Sequence, residues 1–248
     1  MYYYREYNPD IRLAPWVKNY WTAVDFVDSE VAPKVFPDGC VDIIFMFDRV
    51  KGTSYAGLFG TMTTFVEVDF SESTQMFGIR FKPAGITAFT RVAVDEFTDW
   101  SVELALVETL FNQSFCDALP EKQSMAEVIA HTDNFLLSLL PCLYRPDRSI
   151  IHAVDLICFA KGQLSPAKVA SDVCLSQRQF ERKFKSVIGI NPKTFAKIIR
   201  FTNTLRCLRA NPRQDLLSIA LHCGYYDHTH LIKDFKTFSG NAPTDLRY

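Results

Sequence analysis

Hydrophobic and polar residues follow two different patterns along this chain, and the first of them is typical of β-strands. Up to about residue 98, short runs of β-branched and aromatic residues are separated by turn signals such as Pro37-Asp38-Gly39 and Lys82-Pro83-Ala84-Gly85. The runs predict an antiparallel sheet or small barrel. Its predicted strands are Val41–Phe47, Ser54–Phe59, Thr61–Phe70 and Gln75–Phe81, and a short helix at Pro15–Tyr20 is predicted to lead into Trp21–Val27.

The pattern becomes helical from Ser101 onward. Apolar residues at helical spacing predict one helix from Ser101 toward Phe115 and a second from Met125 to Leu140, which Pro141 ends. Two consecutive helices with apolar faces suit a dimer interface, and they suit equally well a layer that packs on the sheet. The sequence leaves both alternatives open.

The last hundred residues contain a repeat. The segment Ala170–Pro192 is followed by Ala220–Pro243, and most matched residues recur at an offset of 51, whereas the two alanines are offset by 50. The second copy therefore has one extra residue in its turn. The pairs at the constant offset are Ser176 and Asp227, Phe180 and Leu231, Phe184 and Phe235, Lys185 and Lys236, Gly189 and Gly240, and Pro192 and Pro243. Repetition of this kind marks a duplicated supersecondary unit.

Each copy carries the signals of a short helix, a tight turn and a second helix. In the first copy Ser165-Pro166 and Ser176 are helix starts, and Gly189 is a helix end. This arrangement predicts a DNA-binding helix-turn-helix in each copy. Between the copies, Asn191-Pro192 opens a helix that runs to Asn211-Pro212. Its roughly 28 Å length approaches the roughly 34 Å between successive major-groove faces, so two recognition helices are predicted to enter adjacent major grooves.

Composition narrows the class of protein. A hydrophobic content of 48% excludes a disordered chain, and no apolar run approaches the roughly 18–20 residues of a membrane span. The N-terminus MYYYREYNPD lacks the features of a signal peptide, and seven cysteines without a C-x-x-C pair predict reduced thiols. We therefore expect a cytoplasmic protein without a membrane partner.

Net charge is divided between the two parts of the chain. Residues 1–144 contain 10 Lys and Arg against 20 Asp and Glu, and residues 145–248 contain 17 against 8. The balances of −10 and +9 predict that the second part meets a polyanion. We place the domain boundary at the polar joint Arg145-Pro146-Asp147-Arg148, which gives an N-terminal domain of residues 1–144, with its helices at about 101–140, and a C-terminal domain of residues 145–248.

The exposed face of each second helix supplies the predicted DNA contacts. Arginine is the commonest reader of guanine, glutamate accepts from cytosine N4, and lysine more often reaches a phosphate. The residues predicted to contact bases are Arg178, Glu181, Arg182, His228, Thr229, Ile232 and Lys233, and those predicted to contact phosphates are Ser176, Lys185, Asp227 and Lys236. The first unit is expected to carry more of the specificity. The alternative is that Glu181 and Arg182 form a surface salt bridge.

Other chemistry finds little support in the sequence. His222, Cys223, His228 and His230 lie close together, but the repeat already explains them, and we expect no metal and no cofactor. No motif of a hydrolase, a zinc protease or a phosphate-binding loop occurs, so we expect no enzyme. Cys40 is either a reactive thiol or a buried turn cysteine, and the second interpretation is favoured because no base adjoins it in sequence.

These residues resemble the C-terminal DNA-binding domain of the AraC/XylS-type transcriptional regulators. The matching positions are Ala170, Ser176, Phe180, Arg182, Phe184-Lys185, Gly189, Pro192, Arg200, Ile219-Ala220, Gly224-Tyr225, Asp227, Leu231, Phe235-Lys236, Gly240, Pro243 and Arg247. Thr204 and Lys233 depart from the family's usual alanine and arginine. The resemblance implies a bacterial regulator with promoter DNA as its partner and, as in some members, RNA polymerase as a further one. An activator that forms a homodimer is one expectation, and the sequence leaves activation or repression and the oligomeric state open.

The first hundred residues are similar to a poorly characterised N-terminal domain of some of these regulators. The match includes Tyr3–Pro9, Leu13-Ala14-Pro15, Tyr20-Trp21, Pro37 to Phe45, and Gly78–Pro83. It implies an α+β protein of two domains, with a β-rich sensor domain of cupin-like type before the all-α domain. Motif density suggests an effector pocket of Trp21, Asp38, Cys40, Arg80 and Lys82, for which a fold-supporting role is the alternative.

Two other functions remain open at this point. The N-terminal part would be an enzyme-like or storage β-barrel fused to a DNA-binding tail, or it would bind only a protein partner. A deep polar cavity favours a small-molecule effector, whereas a filled core with an exposed apolar patch favours a protein partner.

Overall fold

The N-terminal part of the chain is built on one antiparallel sheet. The computed structural model describes residues 2–25, 33–48, 50–51, 53–68 and 74–246. The strands are β1 (Tyr2–Tyr7), β2 (Val17–Asp25), β3 (Lys34–Val35), β4 (Val41–Asp48), β5 (Thr53–Phe59), β6 (Val66–Glu67), β7 (Thr74–Phe81) and β8 (Ser101–Glu103). Six of them pair in the order β1-β2-β7-β4-β5-β8, and β3 pairs with β6. Three of the predicted strands are confirmed to within about one residue.

The helices lie almost entirely in the second half. They are α1 (Gln113–Ala118), α2 (Met125–Leu139), α3 (Arg148–Phe159), α4 (Pro166–Asp172), α5 (Gln177–Ile188), α6 (Pro192–Ala210), α7 (Leu216–His222) and α8 (His228–Ser239). Short 3-10 turns occur at Ile11–Leu13, Gly85–Ala88, Val94–Phe97, Leu104–Leu106, Leu140–Cys142 and Pro243–Leu246. Two helix-turn-helix units, α4-α5 and α7-α8, are joined by α6, as predicted.

Two predicted helices are wrong, both where a strand pairing competes with a local helical pattern. The helix predicted at Pro15–Tyr20 is a 3-10 turn at Ile11–Leu13 followed by β2, because residues from Val17 onward pair with β7. The helix predicted from Ser101 toward Phe115 is β8, a 3-10 turn and the short α1, because β8 pairs with β5. Inter-strand hydrogen bonds outweigh a weak helical preference.

The strand predicted at Thr61–Phe70 is also wrong over most of its length. Only Val66–Glu67 is extended and paired, and the hydrogen bonds of Thr61 and Thr64 run to the C-terminal helices instead. Phe70, like Val27 at the end of Trp21–Val27, lies outside the described residues.

Two hydrophobic cores hold the molecule together. The first lies between one face of the sheet and α1 and α2, so α2 packs on the sheet, which is one of the two alternatives above. Phe115 and Phe135 stack in it with ring centroids 4.1 Å apart. The second core is formed by α3 to α8, and Ala84 and Phe36 of the N-terminal part contact it. Whether the chain divides at residue 144 into independently folding units stays a prediction.

The two turns of the repeat have the same backbone conformation but different residues. Cys174 has φ 56° and Gly224 has φ 81°, so both lie in the left-handed region. The backbone N–H of the next residue, Leu175 or Tyr225, donates to the carbonyl of Ala170 or Ala220. The extra residue of the second copy therefore follows this shared turn and is Tyr226, which is 87% exposed.

Replacing Cys174 by glycine is expected to stabilise the protein. A left-handed conformation costs a residue with a Cβ atom about 1–2 kcal/mol, and glycine avoids this while losing about 0.5–1 kcal/mol through its more flexible unfolded chain. The net gain in the free energy of unfolding is therefore about 0.5–1 kcal/mol. Urea unfolding of both proteins measures it, and Gly224→Ala at the equivalent turn should have the opposite sign. A destabilised Cys174→Gly protein would contradict this account.

Candidate nucleic-acid interface

The second helix of the first unit, α5, is held by signals at both ends. Ser176 Oγ accepts a hydrogen bond from the backbone N–H of Gln179, whose side chain returns to the backbone N–H of Ser176, which forms a capping box. Gly189 ends the helix at φ 92°. The ring of Phe184 packs between those of Phe180 and Phe195, each with a centroid separation of 5.4 Å. One face of α5 is thereby anchored in the core.

The opposite face of α5 is exposed and carries the predicted DNA contacts. Arg178, Glu181, Arg182 and Lys185 are all exposed. Because i, i+4 and i+7 lie on one side of a helix, the two arginines and the lysine share a side. Glu181 accepts a hydrogen bond from Gln177 Nε2 at 3.0 Å. The structure therefore brings the four side chains of the first unit together on one surface, and their contacts with bases or phosphates stay a prediction.

In the second unit the corresponding face of α8 is only partly available. Leu231, Phe235 and Phe238 are buried, and Phe201 of α6 packs against both phenylalanines at centroid separations of 4.8 and 5.5 Å. His228, Thr229, Lys233 and Lys236 are exposed, as their predicted role requires, whereas Ile232 is half-buried and packs against the core. Ile232 thus offers DNA less surface than the other four.

Ser176 and Asp227, two predicted phosphate contacts, act as helix N-caps. Asp227 Oδ1 accepts a hydrogen bond from the backbone N–H of His230 at 2.7 Å, as Ser176 Oγ does from Gln179. Since the Asp227 carboxylate would also repel a phosphate, a phosphate contact at either position is better supplied by backbone N–H groups of the helix N-terminus.

A buried ion pair that was not predicted from the sequence joins α8 to α6. Asp234 is 4% exposed, and its Oδ1 lies 3.4 Å from Lys197 Nζ. A signal for its burial was present, because Asp234 shares the helical spacing of Leu231, Phe235 and Phe238 and so lies on the inward side of α8. On the same side, Arg200 of α6 donates through Nη1 to the carbonyl of Gly224. The connecting helix therefore holds the second unit by polar as well as apolar contacts.

Four of the five predicted pocket residues meet on the N-terminal sheet. Arg80 Nε lies 3.0 Å from Asp42 Oδ1, which also accepts from Trp21 Nε1 at 2.7 Å. Arg80 Nη1 is 3.9 Å from Asp38 Oδ2. In turn, the backbone N–H of Cys40 donates to Asp38.

Lys18 completes this group, which we call the charged cluster (Lys18, Trp21, Asp38, Cys40, Asp42 and Arg80). Lys18 Nζ lies 2.9 Å from Asp38 Oδ2 and 3.6 Å from Cys40 Sγ. Lys82, the fifth predicted residue, is exposed and lies outside these contacts.

The charged forms of Asp38 and Lys18 are stabilised within the cluster, whereas burial raises the pKa of the Asp42 carboxyl. Burial alone would favour a protonated Asp38, but the nearby Arg80 and Lys18 outweigh it and lower the pKa of its carboxyl. Burial likewise opposes the charge of Lys18, but the ion pair with the Asp38 carboxylate outweighs it, so the pKa of Lys18 is raised. Because each charged group already has partners within the cluster, the geometry fits the fold-supporting alternative.

Cys40 is buried in this cluster, which supports the interpretation as a turn cysteine. Cys40 is 6% exposed. Burial, together with the charge of Asp38, raises the pKa of its thiol. We expect Cys40 to react with iodoacetamide far more slowly than the exposed Cys142, because both accessibility and thiolate population are low. Mass-spectrometric peptide mapping after timed alkylation of the native protein measures both rates. Equal rates would contradict a buried Cys40.

The core under the sheet is filled with aromatic rings. Phe45, Phe77, Phe81, Phe89 and Phe111 are all at most 9% exposed. A cavity of about 110 Å³ opens instead between strands β4 and β5 and helix α1, lined by residues that include Tyr55, Glu103, Gln113, Cys116 and Asp117. Pockets for drug-sized ligands measure roughly 300–1,000 Å³, so this cavity suits at most a very small molecule.

Exposed apolar residues flank the edge strand β8 of the sheet. Trp100 and Leu106 are 76% and 77% exposed.

In the described part of the chain, no group of three or more His, Cys, Asp or Glu side chains is placed to hold a metal ion. Among the same residues, no helix has the length and apolarity that crossing a bilayer requires.

Two family models match the chain, one in each part. Residues 5–103 match a family described as Domain of unknown function (DUF6597). Residues 169–248, which hold both repeats, match a family described as Helix-turn-helix domain.

Curated relatives match about a third of this chain. The chain is 29% identical over 84 residues to the HTH-type transcriptional regulator ArgR of Pseudomonas aeruginosa, which is 34% of this chain and 25% of ArgR. It is 31% identical over 80 residues to the HTH-type transcriptional regulator MtrA of Neisseria gonorrhoeae, which is 32% of this chain and 26% of MtrA. The chain thus spans about a quarter of the length of these relatives.

Solved structures resemble it distantly. A transcriptional regulator of Chromobacterium violaceum with an AraC-type DNA-binding domain shares 25% identity over 40% of this chain and 88% of its own, with a TM-score of 0.37. ToxT of Vibrio cholerae shares 12% identity over 92% of this chain and 96% of its own, with a TM-score of 0.46. The assignment of residues 169–248 as a helix-turn-helix domain rests on the family model and not on these structures.

Proposed function

We propose that this chain, whose duplicated helix-turn-helix domain resembles that of the AraC-type regulators, binds promoter DNA through α5 and α8 and thereby regulates transcription. The observation that carries the proposal is the exposed face of α5, on which Arg178, Glu181, Arg182 and Lys185 lie together. Its companion α8 belongs to the same hydrophobic core. Two recognition helices that pack on one core suit a DNA site with two short recognised sequences, which we call blocks.

The proposal is tested by selection from a random DNA library. Purified full-length protein should enrich sequences with two short blocks whose centres lie about one helical turn, roughly 10–10.5 base pairs, apart. A matched selection with the Arg178→Ala/Arg182→Ala protein should lose the block that α5 reads and retain weak electrostatic binding. Absence of any enriched sequence with the unmodified protein would refute the proposal.

For the N-terminal domain we propose a regulatory role without catalysis. The charged cluster adjoins the connecting helix, since Gly39 packs so closely on Phe195 of α6 that a Cβ atom there would lie 2.5 Å from its ring. A change in the conformation of the charged cluster would therefore alter the packing of α6. One candidate trigger is a small-molecule effector bound at Trp21, Asp38, Cys40, Arg80 and Lys82. Thermal unfolding of the protein with each member of a metabolite library tests this, because a bound effector should raise the unfolding temperature. The Arg80→Met protein is the control, in which any such rise should be abolished.

A protein partner is the second candidate trigger. The filled core and the exposed Trp100 and Leu106 favour it. Replacing both by serine should abolish regulation by such a partner in a reporter strain while leaving DNA binding in vitro unchanged. Unaltered regulation in that strain would exclude this surface.

The remaining features of the proposal concern the assembly in the cell. We propose a cytoplasmic homodimer that activates transcription by contacting RNA polymerase. Analytical ultracentrifugation measures the oligomeric state, and in vitro transcription from a selected site measures activation. A monomer that lowers transcription would contradict both points.

A further inference from the structure

A short N-terminal segment lies across the C-terminal ends of both recognition helices. Thr61 Oγ1 donates a buried hydrogen bond to the backbone carbonyl of Ile188 at 2.6 Å, at the end of α5. Three residues later, Thr64 Oγ1 donates to the carbonyl of Thr237 at 2.8 Å, near the end of α8. We call the segment Thr61–Phe65 the bridge.

Neighbouring side chains reinforce both ends of the bridge. At α5, Thr98 Oγ1 donates to the carbonyl of Gly189 at 2.6 Å. At α8, Lys34 Nζ donates to Asn241 Oδ1 at 3.0 Å and lies 4.6 Å from the centroid of the Phe65 ring. Each unit is therefore held by two side-chain hydrogen bonds from the N-terminal part.

The equivalent glycines of the repeat make room for these contacts. A Cβ atom on Gly240 would lie 2.7 Å from the Phe65 ring, and one on Gly189 would lie 2.9 Å from Thr98 Oγ1. Both glycines also have a left-handed φ, which the helix ends require. The N-terminal part thus contacts the same structural position of both units.

The bridge is too short to allow the two units much relative movement. Three residues span at most about 11 Å when fully extended, so both helix ends are attached to nearly one point of the N-terminal part. The connecting helix α6 is the other attachment of the two units. Both units already pack on α6 within one hydrophobic core, and an attachment at a second place, the two helix ends, further opposes rotation of either unit about the axis of α6.

The bridge does not cover the N-terminal turns of α5, although Asp95 Oδ2 of the N-terminal part lies 4.0 Å from Lys185 Nζ further along the helix. It contacts α5 and α8 at their C-terminal ends, whereas Arg178, Glu181 and Arg182 lie in the first two turns of α5 and are exposed. In helix-turn-helix proteins the N-terminal residues of the recognition helix contact base edges. Contact of the bridge with both helix ends is therefore compatible with base reading by α5.

We propose that the bridge sets the distance between α5 and α8 and so determines which spacing of the two DNA blocks the protein accepts. Thr61 and Thr64 act as positioning residues, since they contact the helix ends and not the DNA. This inference rests on the proposed function and adds a specificity for spacing to it.

The test uses full-length protein and the DNA site obtained by selection. Thr61→Val/Thr64→Val removes both hydroxyl donors at nearly constant volume, and Thr61→Ser/Thr64→Ser retains them. The matched control is Thr90→Val, because Thr90 is about as buried as Thr61 but donates within the N-terminal domain, to the carbonyl of Glu108 at 2.6 Å. Affinities are measured for sites with the selected spacing and for sites with one or two base pairs added or removed.

We expect the unmodified protein, the Ser variant and the Thr90→Val control to prefer the selected spacing by about tenfold or more. In the Val variant this preference should fall to about twofold or less, because losing two hydrogen bonds of ordinary strength changes an equilibrium by at least about fivefold. Because Thr64 is exposed, the single Thr64→Val protein should fold normally, and a partial loss of spacing preference is expected from it.

Two results would overturn the inference. One is an unchanged spacing preference in the folded Val variants. The other is an equal rise in affinity at every spacing, because the bridge would then be an inhibitory clamp and not a determinant of spacing. If the unmodified protein selects no DNA sequence at all, the proposed function itself is refuted.

Discussion

Replacing Arg178 and Arg182 by alanine together should lower the affinity for the selected DNA site by at least about 30-fold. Each base-reading arginine is worth about 1–3 kcal/mol of discrimination, so the pair is worth at least about 2 kcal/mol. Both side chains are exposed on α5 and hold no part of the core, so the folded structure should remain intact. Fluorescence anisotropy with the selected site and with random DNA at one salt concentration measures the loss.

The comparison with random DNA decides what the arginines do. Loss at the selected site should clearly exceed loss on random DNA, because phosphate contacts are shared by all sequences. Equal losses would show that the arginines contribute only backbone affinity. Arg91→Ala, an exposed arginine of the N-terminal domain that lies over the Tyr144 ring, is the control and should change neither affinity.

Replacing Phe201 by alanine should destabilise the protein by about 3–5 kcal/mol. Phe201 is 1% exposed and lies at the centre of α6, where its ring contacts Phe235 and Phe238 of α8 and Phe36 of the N-terminal part. Truncation there leaves a cavity that three rings on two other parts of the fold would have to close. Urea unfolding followed by circular dichroism measures the loss, and DNA binding should weaken because α8 loses its support.

Phe159 provides the matched control in the same half of the chain. It is 92% exposed at the end of α3. Phe159→Ala should therefore change the free energy of unfolding by less than about 0.5 kcal/mol. A similar loss from both substitutions would contradict the described packing of α6.

The C-terminal half could be predicted from sequence almost residue by residue because its determinants are local. Helix caps such as Ser176 and Asp227, the left-handed Gly189 and Gly240, and apolar residues at helical spacing each act within a few residues. Duplication made the prediction stronger, since the same signals appear twice in register. The exposed face of α5 followed directly from knowing which residues point inward.

In the N-terminal half, predictions failed where distant pairing decided the conformation. Residues 101–103 begin a stretch whose apolar spacing predicts a helix. They nevertheless form a strand, because they pair with β5. The buried Asp234 shows the same limit at a single residue. Its position on the inward side of α8 was visible, but its partner Lys197 lies 37 residues away and is brought close only by the fold.

By itself, the sequence determined the class of the protein: two helix-turn-helix units, a connecting helix of 19 residues, and an acidic β-rich part before them. Only the tertiary structure decided how these parts meet. It turned half of a predicted strand into the bridge across both recognition helices and gathered Asp38, Asp42 and Arg80 into one charged cluster. The physical reason is that helices are specified by neighbours in sequence, whereas bridges and ion-pair clusters are specified by residues that only folding brings together.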